Sequence, residues 1–181
     1  MGSFSELMVV RADQSALELK TLRPHLICAC AADTSCWHKW HIAGGGWQIV
    51  DVSGAHPGAS GLLAPLVAET GAPVLVAHLV DSDTAYLEAL GPESGAWEGW
   101  IEAYFAPEYA ADRLVGDALN ELADRLAAEL PERAKRAVAW AVEAGWAPDY
   151  DQVLAAMRAK ETFAEDQLMN VLNAMGMPAA G

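Results

Sequence analysis

The hydrophobic positions follow a strand period through the first part of the chain and a helical period through the rest. Two apolar runs rich in Val and Leu, Val74 to Val80 and Thr84 to Leu90, flank Asp81-Ser82-Asp83 and are bounded by Pro73 and by Gly91-Pro92. Their length and punctuation predict a buried hairpin or two adjacent strands. A turn over Gly91 to Gly95 and a strand from Trp97 to Ala103 follow. Upstream, Phe4 to Val10 reads as a first strand. Ser15-Ala-Leu-Glu18 matches a capping box, which predicts a short helix from Ala16 to about Leu22, ended by Pro24. His25 to Ala31 has the pattern of a buried strand. Cys36 to Ile42 and Trp47 to Val52 are separated by Ala43-Gly-Gly-Gly46 and predict a hairpin, because glycine supplies the positive φ of tight turns. In its second strand Trp47, Ile49 and Asp51 share one face, and Gln48, Val50 and Val52 the other. A helix over 60–70 stops at Gly71, a natural C′ residue.

Near Pro107 the composition shifts to Ala, Leu, Glu and Arg. Val115, Leu119, Leu122, Leu126 and Leu130 form one helical stripe, and Pro131 is expected to break that helix or begin the next. Ala134, Ala137, Val138, Ala141 and Val142 continue the period to Gly145. Asp149-Tyr-Asp-Gln152 and Thr162-Phe-Ala-Glu165 resemble capping boxes before two further apolar runs, so four helices are expected after Pro107. The fold class is therefore α+β: a largely antiparallel sheet with helices on one face, over 1–106, followed by a bundle-like helical region, 107–181, packed on it.

Composition narrows the function. With 53% hydrophobic and 20% charged residues, the 181-residue chain is a folded protein, not a disordered one. Its formal net charge is −14, and from Trp40 to Asp112 there are ten Asp and Glu but no Lys or Arg. Such a surface repels nucleic-acid phosphates and anionic membranes and favours a basic protein partner. No apolar run reaches the length of a membrane span. Three Cys, an odd number, and no basic region before an apolar leader point to a reducing cytoplasm.

Two groups of residues could carry chemistry. Cys28, Cys30, Cys36, His38 and His41 are of the types that ligate zinc, which makes a metal-dependent enzyme or small-ligand binder the alternative reading. Their spacing matches no common zinc motif, and buried small thiols with ordinary surface histidines explain them better. The second group is acidic and aromatic. Asp81 and Asp83 sit in a turn, Glu93 in the next, and Trp97, Glu98, Trp100 and Glu102 alternate along a strand. Tryptophan anchors interfaces, and a carboxylate rim attracts Lys or Arg. His78 reads as a satisfied strand histidine. Gly44-Gly-Gly46 lacks the Lys and Ser or Thr of a phosphate loop, and no GxSxG, HExxH or kinase-type motif occurs.

The stretch from Ala72 to Ile101, with Pro73-Val-Leu-Val-Ala-His-Leu-Val-Asp-Ser-Asp-Thr-Ala-Tyr-Leu87 and then Trp97-Glu-Gly-Trp100, resembles small uncharacterised actinobacterial proteins. Some of these are similar to immunity proteins of polymorphic toxin systems. Phe163-Ala-Glu165 with Leu168 to Gly176 has a similar character, and together the segments cover about half the chain. The resemblance implies a cytoplasmic, non-enzymatic inhibitor that binds and blocks a toxin domain. It carries no catalytic residue. The expected interface is the surface of Asp81, Asp83, Glu93, Glu98 and Glu102, with Trp97 or Trp100 as anchor.

Overall fold

The strand-period segments assemble into one six-stranded antiparallel sheet. In the computed structural model, which describes residues 5–25, 39–52, 58–111 and 115–179, the strands are β1 (Ser5–Arg11), β2 (Lys39–Ile42), β3 (Trp47–Asp51), β4 (Val74–Val80), β5 (Thr84–Gly91) and β6 (Gly95–Trp100). Their order across the sheet is β2-β3-β1-β4-β5-β6, so β1 is central and β2 and β6 form the edges. β1 pairs Leu7 with Ala77 of β4 and Val9 with Ile49 of β3. The helices are α1 (Leu63–Thr70), α2 (Ala106–Ala110), α3 (Asp117–Glu143), α4 (Tyr150–Arg158) and α5 (Ala164–Ala174). The architecture is α+β, with the helical region at the C-terminal end.

Successive strand residues point to opposite faces, and in the central strands both sets are apolar, so both faces need cover. Met8, Val10, Val50, Val74 and Val76 pack under Leu62 and Leu66 at α1 and under Leu19 and Leu22. Leu7, Val9, Ile49, Leu75, Ala77 and Leu87 pack under α3, α4 and α5. The early helix and the C-terminal helices thus take opposite faces. Trp47 of β3, Trp140 of α3 and Trp146 meet ring to ring at centroid distances of 4.9–5.9 Å, which joins the sheet to the helical region through one core.

Local elements depart from the sequence expectations for identifiable reasons. Ala16 to Leu22 forms only a 3-10 turn over Ala16–Glu18, and Ser15 makes no side-chain cap. Buried Gln48 takes the backbone groups instead: its Oε1 accepts from the Ala16 N–H at 2.9 Å, and its Nε2 donates to the carbonyls of Ala12 and Gln14. Pro131 neither breaks nor starts a helix, because α3 runs through it for 27 residues. Leu130 and Ala134, on either side, are buried against the sheet, and that packing offsets the lost hydrogen bond. Val115 lies before α3 and is exposed. The expected strand from 25 to 31 falls outside the described residues except for His25, which ends a 3-10 turn.

Candidate functional site

The structure disperses the acidic and aromatic residues singled out from sequence. Asp81 and Ser82 form the β4–β5 turn with φ of 54° and 59°, a left-handed conformation that Asp tolerates better than Ser. The turn is tied down from the helical side. The Ser82 carbonyl accepts from the Ala164 N–H at 2.9 Å, Ser82 Oγ donates to Glu165 at 3.2 Å, and Tyr109 donates to Asp83 Oδ2 at 2.7 Å. That hydrogen bond, with burial, raises the Tyr109 phenol well above its ordinary value. Glu93 lies in the β5–β6 turn, at the other end of β5. β5 has eight residues, so at about 3.4 Å per residue the two turns stand roughly 24 Å apart.

Two of the expected interface residues are interior. Trp97 is 6% exposed and belongs to the core under α3. Glu102 is 4% exposed, and its carboxylate accepts the backbone N–H groups of Tyr104, Phe105 and Ala106 at the start of α2. Glu102 is a helix cap, not a contact for a partner. Glu98 is exposed, and Trp100 is half-buried with part of its ring packed against Ala106, Leu122 and Leu126.

They belong to a strip of sheet that α1 leaves open. α1 lies over β4 and β5, and beyond it strand register aligns one row of side chains across four strands. Glu6 of β1 pairs with His78 of β4, His78 with Tyr86 of β5, and Tyr86 with Trp100 of β6. One step along, Glu88 stands opposite Glu98. Tyr86 and Trp100 meet edge-on with centroids 5.2 Å apart. Burial, the Glu98 carboxylate and its hydrogen bond with the phenol push Tyr86 up to about 12, with Glu88 adding to the effect. The phenol thus stays neutral, an amphipathic ring between carboxylates.

His78 reaches Glu6 through Nδ1 at 3.2 Å and Glu88 through Nε2 at 3.0 Å, and Ser60 Oγ lies 3.4 Å from Nε2. Ser60, His78 and Glu6 stand in the order of a nucleophile relay, yet they do not make one. Glu88 is nearer than Ser60 to Nε2 and takes that nitrogen, so the serine, at 3.4 Å, is its weaker contact. The arrangement is a cross-strand polar clamp joining β1, β4 and β5.

Cys28, Cys30, Cys36 and His38 lie outside the described residues, and only the backbone of His41, in β2, is described. Among the described residues no group of His, Cys, Asp and Glu is placed to hold a metal ion, and no helix is long and apolar enough to cross a membrane. Comparison with known proteins finds no matching family model, curated protein or solved structure.

The Glu6–His78–Tyr86–Trp100 row was not legible in the sequence, because it depends on which strands are neighbours. One signal was present: Tyr86 and Glu88 interrupt the apolar run at period two, alternating with Ala85, Leu87 and Ala89.

Proposed function

We propose that this chain is a non-enzymatic acidic binding protein of the immunity type, which occludes a basic, toxin- or nuclease-like partner in a reducing cytoplasm. The observation that carries the reading is the strip on β5 and β6, where Tyr86 and Trp100 stand beside the carboxylates of Glu88 and Glu98. Two amphipathic rings supply rigid contact area, and the surrounding carboxylates suit Lys or Arg side chains. A net charge of −14 speeds encounter with a basic partner. The interface keeps Glu98 and Trp100 from the sequence reading and adds Tyr86 and Glu88.

The test compares capture from native-host lysate by the wild-type protein and by a Glu88→Lys, Glu98→Lys variant, with bound proteins identified by mass spectrometry. A single basic protein held at low salt, released at high salt and lost with the variant is the expected result. A partner that the variant retains equally well removes the strip from the interface.

A further inference from the structure

Resting on that reading, we infer that the outer edge of β6 receives an extended basic segment of the partner as a seventh strand. The hydrogen-bond parity of the hairpin places the edge. The Ile101 N–H donates to the Ala85 carbonyl at 3.1 Å, so odd-numbered β6 residues face β5 and the backbone groups of Ala96, Glu98 and Trp100 aim outward. Arg133 of α3 confirms the direction, because its Nη1 donates to the Trp100 carbonyl at 3.2 Å. That approach requires Gly99, where a Cβ would overlap the Arg133 side chain. Among the described residues, Ala96 and Glu98 of this edge are exposed, whereas its Trp100 end packs against Leu122 and Leu126. Between it and α3 lies a cleft of about 550 Å³, lined by Ala96, Glu98, Glu129, Glu132, Arg133 and Arg136 among others. That size falls within the range of ligand-binding clefts.

The two sheet edges are built differently. β2 has a register shift between Lys39 and His41, a device that discourages pairing. β6, Gly95-Ala-Trp-Glu-Gly-Trp100, has no Lys, Pro or register shift, and Glu98 is its one charged residue. An edge exposed at Ala96 and Glu98 and flanked by a cleft is the geometry of strand addition. The charge selects the occupant. Glu88, Glu98, Glu129 and Glu132 surround the cleft, and its two arginines already pair with Glu129 and Glu132. A second copy at −14 is repelled, whereas a basic segment is attracted. Because side chains of an added strand alternate, those on the Glu98 side meet Glu98 and Trp100, so Lys or Arg belongs at every second position.

The probe is a peptide of about eight residues alternating Lys and Thr, titrated into the full-length protein while the backbone amide signals of Ala96 and Glu98 are followed by NMR. Binding should protect both amides from exchange. N-methylation of the peptide at alternate positions should weaken it by up to roughly tenfold, the worth of lost hydrogen bonds. Ala96→Pro keeps every carboxylate and the β5 ladder but removes one outward N–H, as edge strands allow, and should weaken binding similarly. The methylated peptide needs no protein variant and stands if Ala96→Pro fails to fold. Binding that is indifferent to both changes but lost with Glu98→Lys leaves the docking strip in place and overturns strand addition. Binding weaker than about 1 mM, or self-association that Ala96→Pro abolishes, also overturns it.

Discussion

Replacing Glu102 tests whether a single carboxylate holds the junction between the sheet and the helical region. It sits between β6 and α2 and is 4% exposed. Its Oε1 lies 2.9 Å from the Phe105 nitrogen and 2.8 Å from that of Ala106, and Oε2 takes the Tyr104 N–H. In Glu102→Ala the N–H of exposed Tyr104 returns to water, but that of Ala106, a fully buried residue, is orphaned. An unsatisfied buried amide costs about 1–3 kcal/mol, and loss of a helix N-terminal cap about 0.5–2 kcal/mol. The two figures describe the same lost hydrogen bonds and are not summed, so the expected loss is roughly 1–3 kcal/mol, or a Tm lower by about 2–12 °C for a chain of this size. Urea unfolding followed by tryptophan fluorescence measures it directly. Glu102→Gln keeps one acceptor oxygen and should fall between wild type and Glu102→Ala. Glu69→Ala is the control, because exposed Glu69 also accepts two backbone N–H groups, from Lys20 and Thr21, where water can replace it. A Glu102→Ala loss no larger than that of Glu69→Ala would refute the reasoning.

Glu143 caps the β5–β6 turn. Burial pushes its carboxyl up, but hydrogen bonds from Ser94 Oγ and from the N–H groups of Ser94 and Glu93 outweigh this and hold it below the ordinary 4.5. A depressed folded-state value stabilises the fold above the unfolded-state value, and the benefit disappears as pH falls through the folded one. The stability gap between wild type and Glu143→Gln should therefore be full at neutral pH and close on acidification below about 4.5; a gap independent of pH would contradict the assignment. A chain truncated after Ala106 bares Leu7, Val9, Ile49, Leu75 and Leu87, and should show no cooperative unfolding transition by circular dichroism. For the alternative metal reading, elemental analysis of protein purified without chelators should show no stoichiometric zinc; zinc that disappears in a Cys28→Ser, Cys30→Ser variant would replace the binding-protein proposal.

The strands and several helix ends could be read from local pattern, since period two and capping chemistry are encoded within a few residues. Asp149 caps α4 as its box predicts, its Oδ1 accepting from the Gln152 N–H at 2.9 Å. Trp47 and Ile49 share the face opposite Val50 and Val52, as their alternation requires. What failed depended on distant residues. Gln48 diverts the Ser15 segment through Ala16, 32 residues away, and packing on the sheet lets α3 continue past Pro131. The candidate site failed for the same reason in a sharper form. Trp97 and Glu98 are adjacent in sequence and one is core while the other is surface, a choice set by register. Glu6 and His78 are neighbours only because β1 inserts between β3 and β4.

The covering of the sheet by later helices has a consequence for synthesis. All six strands precede Ile101, whereas the helices that bury one of their faces lie within 117–174. At about 5–20 residues per second, translation from Ile101 to Ala174 takes roughly 4–15 s. During that interval Leu7, Val9, Ile49 and Leu75 have nothing to cover them, and the unprotected β6 edge is already made. The nascent chain is therefore most exposed to aggregation while the sheet waits for its second layer. Silent codon changes that slow translation between these points should lower soluble yield without altering the finished protein.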